Sequence, residues 1–212
     1  MKTNVYVDAF NLYYGSLRKT PYTWLDLGAL AGHLLSGHQV NRIRYFTAQV
    51  TVTPGKGDGR QPQRQQFYLR ALRTLPNVEI TLGTFLSHPT MMPLARPTSG
   101  QKFIEVVKTE EKGSDVNLAT YLLLDAFDGD YEQALVISND SDLATPIDVV
   151  NKRLGKPVGV ALPCSNPGRK PSVQLKNAAK FVKNIRATML GACQFPENMT
   201  DGVGAFSKPA KW

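Results

Sequence analysis

Short runs of apolar residues alternate along this chain with longer amphipathic stretches, and that pattern admits few folds. It is the pattern of a mostly parallel sheet covered by helices on both faces. Residues 4–7 read as a strand, 25–35 as a helix, 42–50 as a strand and 61–75 as a helix with Phe67, Leu69, Leu72 and Leu75 available to pack. Residues 78–82 and 103–107 read as further strands, and 115–127 as a helix whose buried stripe would be Val116, Ala119, Leu122, Leu123 and Ala126. The run Ala134-Leu135-Val136-Ile137 is apolar throughout, as a central strand buried on both faces requires. A helix over 143–153 closed by Gly155, a strand over 158–162 and a helical stretch over 172–190, broken by a short strand near 181–182, complete the series. The stretches 51–63 and 87–100 read as long loops. The expectation is an α/β fold: a three-layer α/β/α sandwich with a mostly parallel central sheet, Rossmannoid in layout. One domain would span residues 1–195, with residues 196–212 a loose C-terminal tail, and no internal repeat is present.

Nothing in the sequence reads as a signal peptide, because the first apolar run breaks at Asp8, and no stretch reaches the roughly 20 apolar residues of a membrane span. The expected location is cytoplasmic, with no membrane association. Cys164 and Cys193 form no Cys-x-x-Cys pair and stand apart from His33, His38 and His88, which argues against a thiolate zinc site and a structural disulfide. The net charge is +8, unevenly spread. Residues 105–148 carry eleven acids against two bases, a net −9, and the rest of the chain 23 bases against six acids, a net +17. A basic majority attracts a polyanion, whereas a concentrated acidic region repels phosphates unless cations neutralise it.

Asp8 directly follows the first strand and Asp140 and Asp142 follow the central one, so both blocks fall at carboxyl ends of strands, where open parallel sheets place ligands. Asp115 opens a helix after a Gly-Ser turn. Four carboxylates on one rim would repel each other unless a cation were present, and Mg²⁺ or Mn²⁺ suits an all-oxygen cluster without His or Cys. Taken singly, each block also reads as helix capping or a turn, with Ser114 or Asp115, Ser141 or Asp142, and Asp8 as caps. Arg18, Lys19 and Lys112 are candidate RNA contacts, with Tyr13 or Tyr14 as a surface on which an unpaired base could stack; both tyrosines also suit packing. Arg169-Lys170, Lys56, Arg60 and Arg64 are further bases that could line a groove. Gly55-Lys56-Gly57-Asp58-Gly59 lacks the spacing of a phosphate loop, and the first strand ends in Asp-Ala-Phe-Asn rather than a dinucleotide fingerprint.

Asp8-Ala9-Phe10-Asn11, Lys112-Gly113-Ser114-Asp115-Val116 and Ser138-Asn139-Asp140-Ser141-Asp142, in that order over residues 4–162, resemble the three signature blocks of NYN-domain proteins, the LabA-like branch of the PIN-like nuclease superfamily. The resemblance implies a PIN-like domain over residues 1–195 that hydrolyses RNA phosphodiester bonds, as an endoribonuclease using Mg²⁺ or Mn²⁺. It assigns the metal and the catalysis to Asp8, Asp115, Asp140 and Asp142, with Asn11 and Ser138 positioning them. The expected partner is single-stranded RNA, and a homodimer is left open. Tyr121 stands where many relatives carry a further Asp, which supports an alternative: a non-catalytic RNA-binding or regulatory module that keeps the metal site. Asp8→Asn and Asp140→Asn are both expected to abolish cutting and leave the fold intact, since each relieves like-charge repulsion.

Overall fold

The computed structural model describes residues 1–51, 59–98, 100–166 and 168–210. The alternation resolves into a seven-stranded sheet in the order β4-β3-β2-β1-β5-β6-β7, with β1 Lys2–Asp8, β2 Gln39–Ala48, β3 Val78–Thr98, β4 Gln101–Lys112, β5 Gln133–Ile137, β6 Val158–Leu162 and β7 Val182–Asn184. All pairings are parallel except β3 with β4. Successive side chains of a strand face opposite sides, and the buried strands follow that rule. Val5, Val7, Leu135 and Ile137 enter one core, whereas Tyr6, Ala134 and Val136 enter the other. Helices α2 Leu27–Leu34 and α3 Gln61–Leu72 cover the first face, and α4 Ser114–Phe127 and α5 Ala144–Arg153 the second. The three-layer α/β/α expectation is met.

Three local expectations are corrected. The stretch 87–100 is not a loop: β3 runs on from Val78 to Thr98 and folds back along β4, with Thr84 opposite Lys112 and Pro93 opposite Phe103. The stripe of α4 is as expected at Leu122 and Ala126, with Ala119 and Leu123 packed against that core, but Val116 is 69% exposed and Leu118 is buried in its stead. The helical stretch over 172–190 is interrupted by a strand as expected: α6 Val173–Ala178 and α7 Ala187–Ala192 flank β7. The segment after Pro196 is not loose, because β8 Asn198–Asp201 and β9 Gly204–Ser207 make a hairpin that buries Phe206 in the first core. Of the expected loop at 51–63, residues 52–58, with Lys56, lie outside the described residues, and Gln61 onward is already α3. Cys164 and Cys193 are free thiols, and no helix among the described residues is long and apolar enough to cross a membrane.

One topological feature positions the site. From β1 the chain proceeds outward through β2 and β3, then crosses back to place β5 on the other flank of β1. The strand order therefore reverses between β1 and β5, and the crevice at their carboxyl ends is where sheets of this kind bind ligands. The β3–β4 arm solves a second problem. β3 pairs with β2 only up to Ala48 opposite Gly83, then continues past the rim. β4 brings the chain back to the same rim at Lys112, so α4 begins beside the crevice. Gly113 makes the turn with φ 100°, a left-handed conformation that costs other residues far more than glycine.

Candidate active site

Asp8 ends β1 with its backbone extended, and its side chain caps the helical turn α1, Ala9–Leu12. Its carboxylate is 2% exposed. Oδ1 accepts the Asn11 N–H at 2.9 Å, and Oδ2 accepts both Asn11 Nδ2 at 2.7 Å and Ser138 Oγ at 2.8 Å. Burial raises the Asp8 pKa, these hydrogen bonds hold it down in part, and the Asp140 charge raises it further. Ser138, wholly buried at the end of β5, also accepts the Asp140 N–H at 3.1 Å. A single hydroxyl thus ties the first block to the third across the switch point. Asp140 in turn accepts the Asp142 N–H at 3.0 Å, which shapes the 3₁₀ turn Ser141–Leu143. The capping reading holds for Asp8, whose Oδ1 takes the Asn11 N–H, but the cap of the third block is Asp140 rather than Ser141 or Asp142, and α4 starts after Gly113 with no side-chain cap from Ser114 or Asp115.

Asp115 stands in the first turn of α4 and accepts no hydrogen bond among the described residues. Its pKa is raised to about 6, first by burial and then by the charges of Asp8, Asp140, Glu111 and Asp142. The structure therefore brings all four expected aspartates into one electrostatic field. It adds Glu111, which sequence reasoning did not single out; its Oε1 takes both the N–H and the hydroxyl of Ser114 at the start of α4. Tyr45 on β2 was also missed, and its phenol pKa is raised by burial and by Asp8. Glu111 could have been found from its place three residues before Ser114 at the opening of α4, whereas Tyr45 carries no local signal and only the packing of β2 beside β1 brings it near Asp8.

The expected RNA contacts are scattered by comparison. Tyr13 and Tyr14 lie in a π-helical turn, Tyr13–Leu17, both partly exposed and edge-to-face at 5.2 Å. That turn packs so closely on the loop after β6 that a Cβ on Gly15 would lie 1.8 Å from the Pro163 carbonyl oxygen. Arg18 sits 5.4 Å from the centre of the Tyr14 ring, and Lys19 is exposed with φ 63°. Lys112 pairs with Glu110 at 3.2 Å rather than with an aspartate of the site. Asn139 holds the Lys170 carbonyl at 3.0 Å and accepts the Ser172 N–H at 2.7 Å, which brings the exposed bases Arg169 and Lys170 beside the third block. Tyr121 packs in the second core with the Arg44 guanidinium 4.2 Å from its ring centre. Arg44 is itself held by a two-pronged pair with Asp125 at 2.7 and 2.9 Å, so the position that is acidic in many relatives is structural here.

Among the described residues, no three His, Cys, Asp or Glu side chains close into a metal-ligand group as they stand. The donor set nonetheless fits a hard dication. It is entirely carboxylate oxygen, its Asp115 is pushed up by its neighbours' negative charge, and cations such as Mg²⁺ complete their shells with water.

A three-layer α/β/α sandwich with acids on its switch-point rim defines a Rossmannoid protein with a carboxylate site. Residues 2–186 match the NYN domain model, and the chain belongs to the NYN domain family, whose members are generally nucleases. Over its whole length it is 30% identical to a Pseudomonas putida protein named 6-hydroxy-3-succinoylpyridine 3-monooxygenase HspA, covering 75% of that protein. A solved structure of a protein of unknown function from Vibrio parahaemolyticus is similar in fold, with a TM-score of 0.56 at 18% identity over 88% of this chain and 93% of that one.

Proposed function

We propose that this chain is a metal-dependent ribonuclease that hydrolyses phosphodiester bonds of single-stranded RNA. The supporting observation is the shared field of Asp8, Asp115, Asp140 and Asp142 at the switch point, with Asp115 raised to about 6 by it. These four would hold Mg²⁺ or Mn²⁺, which when bound supplies positive charge against the phosphodiester and lowers the pKa of a coordinated water. Asn11 and Ser138 fix the Asp8 carboxylate by three hydrogen bonds, so its orientation is set before any ligand arrives. Arg169 and Lys170, beside Asp140, and Arg18, near Tyr14, would attract the phosphate chain.

The test incubates purified protein with single-stranded RNA and Mn²⁺, next to the Asp140→Asn and Asp115→Asn variants. Cleavage by the wild type, reduced at least about 100-fold in each variant, is the expected result. Binding of RNA with no metal-dependent cleavage would instead favour the non-catalytic module, a reading the structural role of Tyr121 supports. The name of the Pseudomonas relative suggests a third activity, oxygenation of a hydroxylated pyridine. Dioxygen uptake in the presence of a hydroxypyridine and a reductant, with RNA left intact, would favour it.

A further inference from the structure

Next to the carboxylates, between the helical turn after β1, the end of β2 and the start of α3, lies a cavity of about 250 Å³. The cleavage reading uses none of it. Tyr45, Tyr68, Phe10 and Tyr13 make much of its wall. An apolar cavity of roughly 150 Å³ takes up benzene, so this one has room for a single substituted or fused ring.

Its polar groups sort into satisfied and unsatisfied. Gln65 donates to Thr47 Oγ1 at 3.3 Å and to the Ala48 carbonyl at 2.9 Å, and accepts the Val50 N–H at 2.8 Å. Thr23 differs. It is 8% exposed, and its Oγ1 is buried with no hydrogen-bond partner among the described residues. Such a hydroxyl is costly to leave unpaired in a folded protein. The Tyr45 hydroxyl likewise makes no hydrogen bond among the described residues, and burial together with the Asp8 charge keeps it protonated and able to donate. An aromatic wall that includes the unused Tyr45 hydroxyl has the composition of a ligand pocket, mostly apolar with a polar group that fixes orientation, whereas the Thr23 Oγ1 is sealed from the cavity.

We propose that this cavity binds one planar heteroaromatic ring bearing an exocyclic oxygen, which the Tyr45 hydroxyl holds by a hydrogen bond while the aromatic wall encloses its faces. Such a ring is offered both by an unstacked base of a nucleic acid and by a free hydroxylated heterocycle. The site does not depend on the cleavage reading, and it stands if the chain cuts no RNA.

Calorimetric titration of the full chain in metal-free buffer tests it, with uracil, 2-pyridone, UMP, AMP and decauridylate as probes. Saturable one-to-one binding of at least one probe is expected, weakened about tenfold by Tyr45→Phe, which removes only a hydroxyl. Thr23→Val, whose hydroxyl is sealed from the cavity, should leave that binding unchanged and leave the melting temperature of the free protein unchanged or raise it. Uracil and 2-pyridone binding as tightly as the nucleotides supports the free heterocycle as the ligand, and binding confined to UMP, AMP or decauridylate supports a nucleic-acid base. Asp140→Asn should bind as the wild type does, which separates this site from the carboxylates. No saturable binding by any of the five probes, or binding that Tyr45→Phe leaves unchanged, overturns the proposal.

Discussion

Asp8 shows how much of one residue's behaviour is decided by its neighbours. Three donors converge on its carboxylate, so Asp8→Asn would turn an amide N–H₂ toward at least one of them. The expectation that this variant leaves the fold intact is therefore corrected; it should melt below the wild type, whereas Asp140→Asn keeps an oxygen for the Asp142 N–H. Asp115 behaves in the opposite way. It accepts no hydrogen bond among the described residues, and its pKa is raised from 3.8 to about 6 by burial and by four like charges. Between those two values the folded chain binds a proton that the unfolded chain has released, so stability falls as pH rises through the window and the penalty is complete above about pH 6. The pairs that depress other carboxylates, such as Asp130 beside Arg42, are lost only at lower pH. Metal-free protein should accordingly melt a few degrees higher at pH 5 than at pH 7. Asp115→Asn should melt above the wild type at pH 7 and flatten the dependence. Thermal scans across this range check both, and a wild type that is less stable at pH 5 than at pH 7 would contradict the shared field. The four aspartates were legible in the sequence because each lies directly after a strand or at a helix start. Tyr45 was not, because only the packing of β2 beside β1 gives it a role, and Glu111 was passed over although its contact with Ser114 is local.

Among the elements, the parallel strands and their covering helices were read nearly to their ends, because β5 and β6 are buried at every position and, Gln133 apart, carry no polar side chain. The β3–β4 arm escaped that reading for a physical reason. Pro89, Pro93 and Pro97 demote a strand assignment, yet here they lie on a two-stranded ribbon past the rim. Its apolar side chains, among them Leu86, Met91, Phe103 and Val107, are exposed and show no burial pattern to detect. A two-stranded ribbon without a covering layer is marginal in water. Extending roughly 45 Å past the rim at about 3.3 Å per residue, it is expected to exchange its amide hydrogens far faster than β1 and β5. Peptide-resolved exchange measures this, and protection over 88–106 equal to that of the central strands would mean the arm is covered by a partner. The same arm sets the start of α4, so Gly113→Ala, with φ 100° imposed on a residue with a Cβ, should cost about 1–2 kcal/mol and lower any metal-dependent activity by displacing Asp115. Loss of stability without loss of activity would separate the turn from the site.

Over the molecule as a whole, the acidity of residues 105–148 divides between two ends. Asp125 is neutralised by Arg44, Asp130 by Arg42 and Lys2, and Asp148 by Lys152, all away from the rim. Asp115, Asp140 and Asp142 form no ion pair among the described residues, and Glu111 adds to their charge at Asp115, so a cation at the crevice would offset the densest unpaired acidity of the segment; Glu105, Asp128 and Glu132 form no ion pair elsewhere. The basic surplus is then available to a polyanion. The C-terminal hairpin belongs to the same body rather than to a tail. Phe206 is buried with the Arg70 guanidinium 4.2 Å from its ring centre, Asp201 grips Arg70 by two oxygens at 2.7 Å, and the fully buried Trp24 donates its indole N–H to the Pro196 carbonyl at 2.9 Å. Little of this was legible beforehand, because two four-residue strands carry too few apolar positions for a period to show. Burial of Phe206 alone is worth about 3–4 kcal/mol, and a chain ending at 195 also lacks the carbonyl that accepts the Trp24 N–H and the carboxylate that holds Arg70. At roughly 2–4 °C per kcal/mol for a domain of this size, truncation after Phe195 should lower the melting temperature by about 10 °C or more, with Phe206→Ala reproducing most of the loss. A truncated chain that melts with the full one would show that the hairpin adds nothing to the core, and that the domain ends at 195 after all.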